Sequence, residues 1–160
     1  CSDNASYMRR IKDLIENDER PDYRVRYNYK MSDISAALGL SQLKRLDSFI
    51  AERRKLAGIY GQVLSRSKFI TLPSGEGHIY FRYVIRVRGD IERFINEMAK
   101  RRIEAKRPVF KPLHRYLGLR KSDFPNTEAA YRSAVSLPIY PMLGGRQVEF
   151  IAKAAIQAVE

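Results

Sequence analysis

Residues 32–65 carry the pattern that most constrains this chain. Leu43, Leu46, Ile50, Ala57, Tyr60 and Leu64 fall on one stripe at helical spacing, and Phe49, Leu56 and Val63 repeat every seven residues beside it. The spacing predicts one long helix with a wide apolar face, from Ser32 to about Ser65. Ser32 and Asp33 suit its first positions, because a side-chain oxygen there accepts a hydrogen bond from an otherwise unpaired amide. Just ahead stands the turn Tyr27-Asn28-Tyr29-Lys30, which brings an amide, two phenols and an ammonium to the helix start. A helix start beside a cation favours anions. Gly39 costs the helix about 1 kcal/mol relative to alanine, so either another backbone packs closely against it or the helix bends there, close packing being the preferred reading.

The rest of the chain reads as shorter elements. Ala5, Met8, Ile11, Leu14 and Ile15 predict a short helix over 5–16, followed by a polar loop from Asn17 to Arg26 that contains Pro21. Residues 69–78, with Pro73, Gly75 and Gly77, read as a turn. Phe81, Tyr83, Ile85 and Val87 then alternate with Arg82, Val84, Arg86 and Arg88, which predicts a strand with one buried face. After Asp90, the spacing of Ile91, Phe94, Ile95 and Met98 predicts a helix ending near Arg102. An extended piece over 103–110, a helix over 126–135, an extended Ser136–Pro141 and a closing helix after Gly144-Gly145 complete the reading. Strands and helices do not alternate regularly, so the fold class is α+β: a small antiparallel sheet covered by helices.

Length and composition exclude several classes. At 160 residues the chain suits one compact domain, and 44% apolar content argues against wholesale disorder. No apolar run approaches the length of a membrane span. Cys1 is the single cysteine, so no internal disulfide can form, and His78 with His114 cannot complete a metal site. A reducing, cytoplasmic setting fits this usage. Asn4-Ala5-Ser6 is formally a glycosylation acceptor and is read as an accidental tripeptide. Thirty basic against eighteen acidic residues give a net charge of +12. The cations are scattered and interleaved with acids such as Asp13, Asp47 and Glu52, which describes a solvated surface rather than a basic arm.

A second polar cluster runs Arg107-Pro108-Val109-Phe110-Lys111-Pro112-Leu113-His114-Arg115-Tyr116. Two prolines discourage helix and hold the backbone extended. Arg107, Lys111 and His114 are then expected to project toward a diphosphate, with Phe110 offering a face to a sugar or base. A surface linker with solvated charges is the plainer alternative. Ser32 reads as a helix cap and His78 as a turn residue. Arg82, Arg86 and Arg88 share a strand face that could meet a polyanion, although an exposed sheet face is the commoner meaning. No lysine stands in a context that would lower its pKa for Schiff-base chemistry.

These segments resemble the DegT/DnrJ/StrS family of sugar aminotransferases, which use pyridoxal phosphate. The family's turn looks like GYNYRMSD and its helix like QAALGLSQLKRLDEFIARRR. Asn28, Met31, Ser32, Asp33, Ala36, Ala37, Gly39, Gln42, Leu43 and Leu46 all match. The 107–114 stretch resembles the family's RPLWKPMH-type segment, and Ser136-Leu137-Pro138-Ile139-Tyr140-Pro141 its SLPLYP segment. The resemblance implies the small C-terminal domain of a fold-type I pyridoxal-phosphate aminotransferase over residues 32–160. Residues 1–31 would form the end of the large-domain region and a connecting loop. The large domain, with its Schiff-base lysine, is expected outside this chain.

By the same resemblance Asn28 reaches across a dimer interface to the cofactor phosphate of a neighbouring subunit, so that the cofactor is shared with that subunit and with the large domain. Lys30, standing where the family often has arginine, would join Arg107, Lys111 and His114 in substrate binding, with a charge but without the planar fork of guanidinium. The implied partners are a nucleotide-linked keto sugar, an amino-acid donor such as glutamate, and either a second copy or a chain carrying the large domain. Two other readings stand beside this one. A non-catalytic interaction module or split-gene remnant would use the long helix to dock, and a nucleic-acid binder would rest on the +12 charge without any recognised motif.

Overall fold

The computed structural model describes residues 2–16 and 20–160, which fall into two units, Cys1–Arg45 and Leu46–Glu160. Cys1 and the first residues of the predicted 17–26 loop lie outside the described residues.

The first unit holds α1 (Ala5–Ile15) and α2 (Asp33–Leu43). Asn4 caps α1, its Oδ1 accepting from the amides of Ser6 (3.0 Å) and Tyr7 (3.2 Å). Ser32 caps α2 in the same way, its Oγ accepting from the Ser35 amide at 3.3 Å. Neither helix buries a residue, and Ile34, Leu38, Leu40 and Leu43 are all exposed.

The predicted 32–65 helix is two helices. The Arg45 amide bonds the Gln42 carbonyl at 3.0 Å, a three-residue closure that tightens the last turn and ends α2. α3 (Leu46–Leu64) starts afresh with Asp47 in its first turn. Only the C-terminal half of the predicted stripe is core: Leu56, Ala57, Tyr60 and Leu64 are buried, whereas Leu43 and Leu46 are exposed. Among the described residues a Cβ at Gly39 would meet nothing within 4 Å, so the close approach expected there is not seen.

In the second unit, three strands form an antiparallel sheet in the order β1 (Ile70–Thr71), β2 (Tyr83–Val87), β3 (Ala134–Leu137). Ile70 pairs with Val87, and Ile85 with Val135. Tyr83, Ile85 and Val87 turn to the core, and the alternation places Arg86 on the other face. Phe81, expected to continue the buried face, precedes the strand and is exposed. β1 lies within the stretch read as a turn, because two residues are too few to show a period.

The core forms where this face meets α3, α4 (Ile91–Lys100) and α7 (Gly145–Val159). Tyr60, Phe94, Met98, Val148 and Ala155 are all 1% exposed or less. Each fully buried large side chain contributes about 1.5–3 kcal/mol. The Tyr60 and Tyr83 rings stack at 4.6 Å, and Tyr60 Oη donates to the Pro138 carbonyl at 2.8 Å. Asp90 caps α4 by accepting from the Glu92 amide at 2.9 Å. At the start of α7 a Cβ on Gly145 would stand 3.3 Å from Ile59 Cδ1, so glycine lets α7 approach α3 closely. α3, α4 and α7 therefore pack together on the face of the sheet that carries Tyr83, Ile85 and Val87.

Candidate functional site

Arg102, in the left-handed region at φ 59°, turns the chain at the end of α4, and the Ile103 amide returns to the Met98 carbonyl at 3.0 Å. The chain then runs along the outer edge of β3. Lys106 and Ser136 exchange both backbone hydrogen bonds, at 3.1 and 2.7 Å, so part of the predicted extended piece is held as an added rung of sheet. Pro108 and Pro112 stop any helix between them, and α5 (Leu113–Tyr116) begins immediately after Pro112.

This 107–116 loop is fastened to α6 (Pro125–Ser133) and to α4. The Arg107 guanidinium donates through Nε and Nη2 to Glu92 Oε1, at 3.0 and 2.6 Å, and through Nη1 to the Tyr131 carbonyl at 2.6 Å. It lies 4.7 Å from the Tyr131 ring centroid, and Arg115 lies 4.5 Å from the same ring. Tyr131 Oη donates to the Phe110 carbonyl at 3.0 Å. Arg82, just before β2, donates to the Pro108 carbonyl at 2.6 Å.

At the far end, His114 is 5% exposed and Glu128 4%. Arg115 donates through Nε to Glu128 Oε1 at 2.7 Å, and its Nη2 donates to Oε2. His114 Nε2 stands 2.8 Å from Glu128 Oε1. The Arg115 guanidinium holds the Glu128 carboxyl down at about 2, with His114 adding to the effect and burial opposing it. An ionised carboxylate only accepts, so the Nε2 of His114 carries the proton in that bond. The imidazole also stacks on Phe124 at 4.6 Å. The expectation that His114 projects from an extended segment is corrected here: it sits in a turn of helix, buried against a carboxylate that consumes its donor. Arg107 likewise stands at the loop's root with its donors engaged.

Lys111 is the exposed cation of the loop, its Nζ 4.5 Å from the Tyr116 ring centroid. Phe110 is 87% exposed. A cleft of about 420 Å³ opens beside the loop, lined among others by Arg82, Lys106, Arg107, Phe110 and Tyr140. Lys106 pairs with Glu104 at 2.5 Å, both largely exposed. Sequence reasoning picked out Arg107 and Phe110 but missed Lys106 as a wall of this cleft. Ile139 is buried and Tyr140 half exposed, which continues the alternation of Val135 and Leu137 past the end of β3.

Asn28 and Lys30 belong to the other unit. The Tyr29 amide bonds the Tyr27 carbonyl at 3.0 Å, a three-residue turn closed over Asn28, and the flanking rings stack at 5.2 Å with planes 6° apart. Arg26, its side chain 7% exposed, donates to Asp13 at 3.0 Å and Asp22 at 2.6 Å, while the Tyr27 amide reaches the Leu14 carbonyl at 2.7 Å. These bonds fix the turn against α1. Asn28 and Lys30 are exposed. An amide at the apex of a fixed turn offers uncharged donors of the kind a phosphate accepts.

A family model described as the DegT/DnrJ/EryC1/StrS aminotransferase family matches residues 5–156. The chain belongs to this family. Among the curated relatives of this DegT/DnrJ/EryC1/StrS chain, it is 33% identical over 133 residues to a GDP-perosamine synthase of Escherichia coli O157:H7, covering 80% of this chain and 36% of that protein. It is 31% identical over 136 residues to the dTDP-4-dehydro-2,3,6-trideoxy-D-glucose 4-aminotransferase of Saccharopolyspora spinosa, covering 81% and 35%. The chain therefore spans little more than a third of these relatives' length. Among solved structures, Spr1654 of Streptococcus pneumoniae in its PMP form superposes with a TM-score of 0.77 at 26% identity, covering 85% of this chain and 37% of that one. Helicobacter pylori PseC, at 19% identity, shares the fold with a TM-score of 0.87 over 99% of this chain and 47% of its own.

Proposed function

We propose that this chain is the C-terminal part of a pyridoxal-phosphate-dependent aminotransferase that moves an amino group from an amino acid such as glutamate onto a nucleotide-linked keto sugar, for cell-surface polysaccharide or glycan synthesis. The observation that carries the reading is the family match over residues 5–156 together with relatives named for amination of GDP- and dTDP-linked sugars. In this reading residues 32–160 supply the small domain and residues 1–31 the end of the large one. Two such subunits, soluble in the cytoplasm, share their sites.

When bound, pyridoxal phosphate supplies the electron sink for amino transfer. Asn28, held at the apex of its turn, donates to the cofactor phosphate of the neighbouring subunit. Lys30 and Lys111 face the substrate's negative charges, and Phe110 stacks on its sugar or base. Arg107 adds positive field to the cleft while its own donors secure the loop. His114 acts at one remove, through the Glu128 carboxylate that also fixes Arg115.

The test uses the full-length protein with pyridoxal phosphate, glutamate and a panel of GDP-, dTDP- and UDP-linked 4-keto sugars, followed by mass spectrometry of the sugar product. The expected result is a gain of amine in place of the ketone on one nucleotide class. Absence of visible cofactor absorbance and of any aminated sugar would instead favour the non-catalytic interaction module.

A further inference from the structure

The 107–116 loop has no regular backbone pairing between Pro108 and Pro112, yet its backbone and its cations converge on one side chain. Tyr131 receives the Arg107 guanidinium on its ring and on its carbonyl, receives Arg115 on its ring, and returns a hydrogen bond from its hydroxyl to the Phe110 carbonyl. Glu128 stands one helical turn earlier on the same helix and holds Arg115 and His114. A tyrosine with ordinary packing duties needs one partner for its hydroxyl. Here two guanidiniums near the two ends of the loop lie 4.7 and 4.5 Å from one ring centroid, and the hydroxyl donates to the carbonyl of the exposed Phe110.

From this convergence we infer that Tyr131 is a positioning residue that sets how Phe110 and Lys111 are presented to the sugar nucleotide. The inference rests on the aminotransferase reading for its consequence, while its physical content, the fixing of the loop, stands apart from that reading. Tyr131 touches no reacting atom. It holds the Arg107 root, the Phe110 backbone and the Arg115 end in one geometry, so the flat face of Phe110 and the ammonium of Lys111 meet the ligand without an ordering cost at binding. The ring and the hydroxyl have separable tasks: the ring gathers the cations, and the hydroxyl fixes the Phe110 peptide.

The test compares Y131F and Y131L with the wild type in the full-length protein, by backbone amide order parameters from NMR relaxation and by steady-state kinetics. In Y131L the order parameters of 109–111 fall while those of β2 and α4 are unchanged. KM for the nucleotide sugar rises about tenfold, and KM for the amino donor and the visible cofactor absorbance stay at wild-type values. Y131F, which keeps the ring, shows a smaller rise and a lowered order parameter beside Phe110 alone. A general structural role would lower the melting temperature and the active fraction without splitting the two KM values. Unchanged order parameters over 109–111 in Y131L overturn the inference whatever the activity. Lowered order parameters with an unchanged sugar KM overturn the presenting role. If the wild type aminates no sugar, the function proposed above fails, and the relaxation measurement still decides whether Tyr131 fixes the loop.

Discussion

His114 Nε2 stands 2.8 Å from Glu128 Oε1, between two side chains that are both almost fully buried. The carboxylate is shared with Arg115, which holds its pKa from an ordinary 4.5 down to about 2. As pH falls, the unfolded chain therefore takes up this proton first, and the stability that Glu128 contributes above 4.5 is lost between about 4.5 and about 2. Urea unfolding at a series of pH values checks this. The stability difference between wild type and E128Q should be constant above 4.5 and shrink below it, and a difference that instead shrinks between neutral pH and 4.5 would contradict the assignment.

Phe94 and Phe110 separate packing from presentation. Phe94 is 1% exposed in the core, so F94A should cost about 3–5 kcal/mol in unfolding free energy. Phe110 is 87% exposed, so F110A should stay within about 0.5 kcal/mol of wild type. Its effect belongs in the KM for the nucleotide sugar. A large loss of stability in F110A would show that the ring packs in a way its exposure denies.

Tyr60 joins α3 to the Ser136–Pro141 segment through its hydroxyl on the Pro138 carbonyl. Burial pushes the phenol's pKa well up, so the group remains a neutral donor through the usual range. Y60F keeps the stack on Tyr83 and loses this bond alone, at about 1 kcal/mol by chemical denaturation. A neutral substitution would mean that the Pro138 carbonyl has another partner in solution.

Lys111 is the test of exposed charge on the 107–116 loop. If the proposed function holds, replacing it with alanine in the full-length protein removes a charge-assisted contact of about 1.5–3 kcal/mol, which corresponds to roughly a tenfold or larger rise in KM for the nucleotide sugar. The rise should diminish with added salt, because Lys111 is exposed. A KM unchanged at low salt would remove Lys111 from the substrate's surroundings.

Local signals made much of the fold legible. The Ser32 and Asp90 caps, the alternation over Tyr83–Val87 and the 3.6-residue spacing of Ile91, Phe94 and Met98 all act within a few residues, so the sequence displays them directly. The turn that separates α2 from α3 carries no glycine or proline, and an apolar stripe keeps its period across a break of that size. β1 pairs through two residues and has no period to read. The candidate site was legible as a set of residue types, and less so as geometry. Arg107 and His114 could be recognised as groups suited to anions, but their engagement with Glu92, Tyr131 and Glu128 depends on α4 and α6 folding against the loop. Those contacts lie 14 to 24 residues apart along the chain, beyond what spacing alone can pair.

The central claim is that the Asn28 amide donates to the cofactor phosphate of an adjoining subunit. Cofactor retention by full-length N28D and N28A under dialysis, followed by visible absorbance, tests it most directly. Because Asn28 is exposed on a turn fixed by Arg26, both variants should keep the wild-type melting temperature of the apoprotein. N28D, which sets a carboxylate against a phosphate, should release pyridoxal phosphate far more readily than N28A, and N28A more readily than wild type. Wild-type retention in N28D would contradict the account.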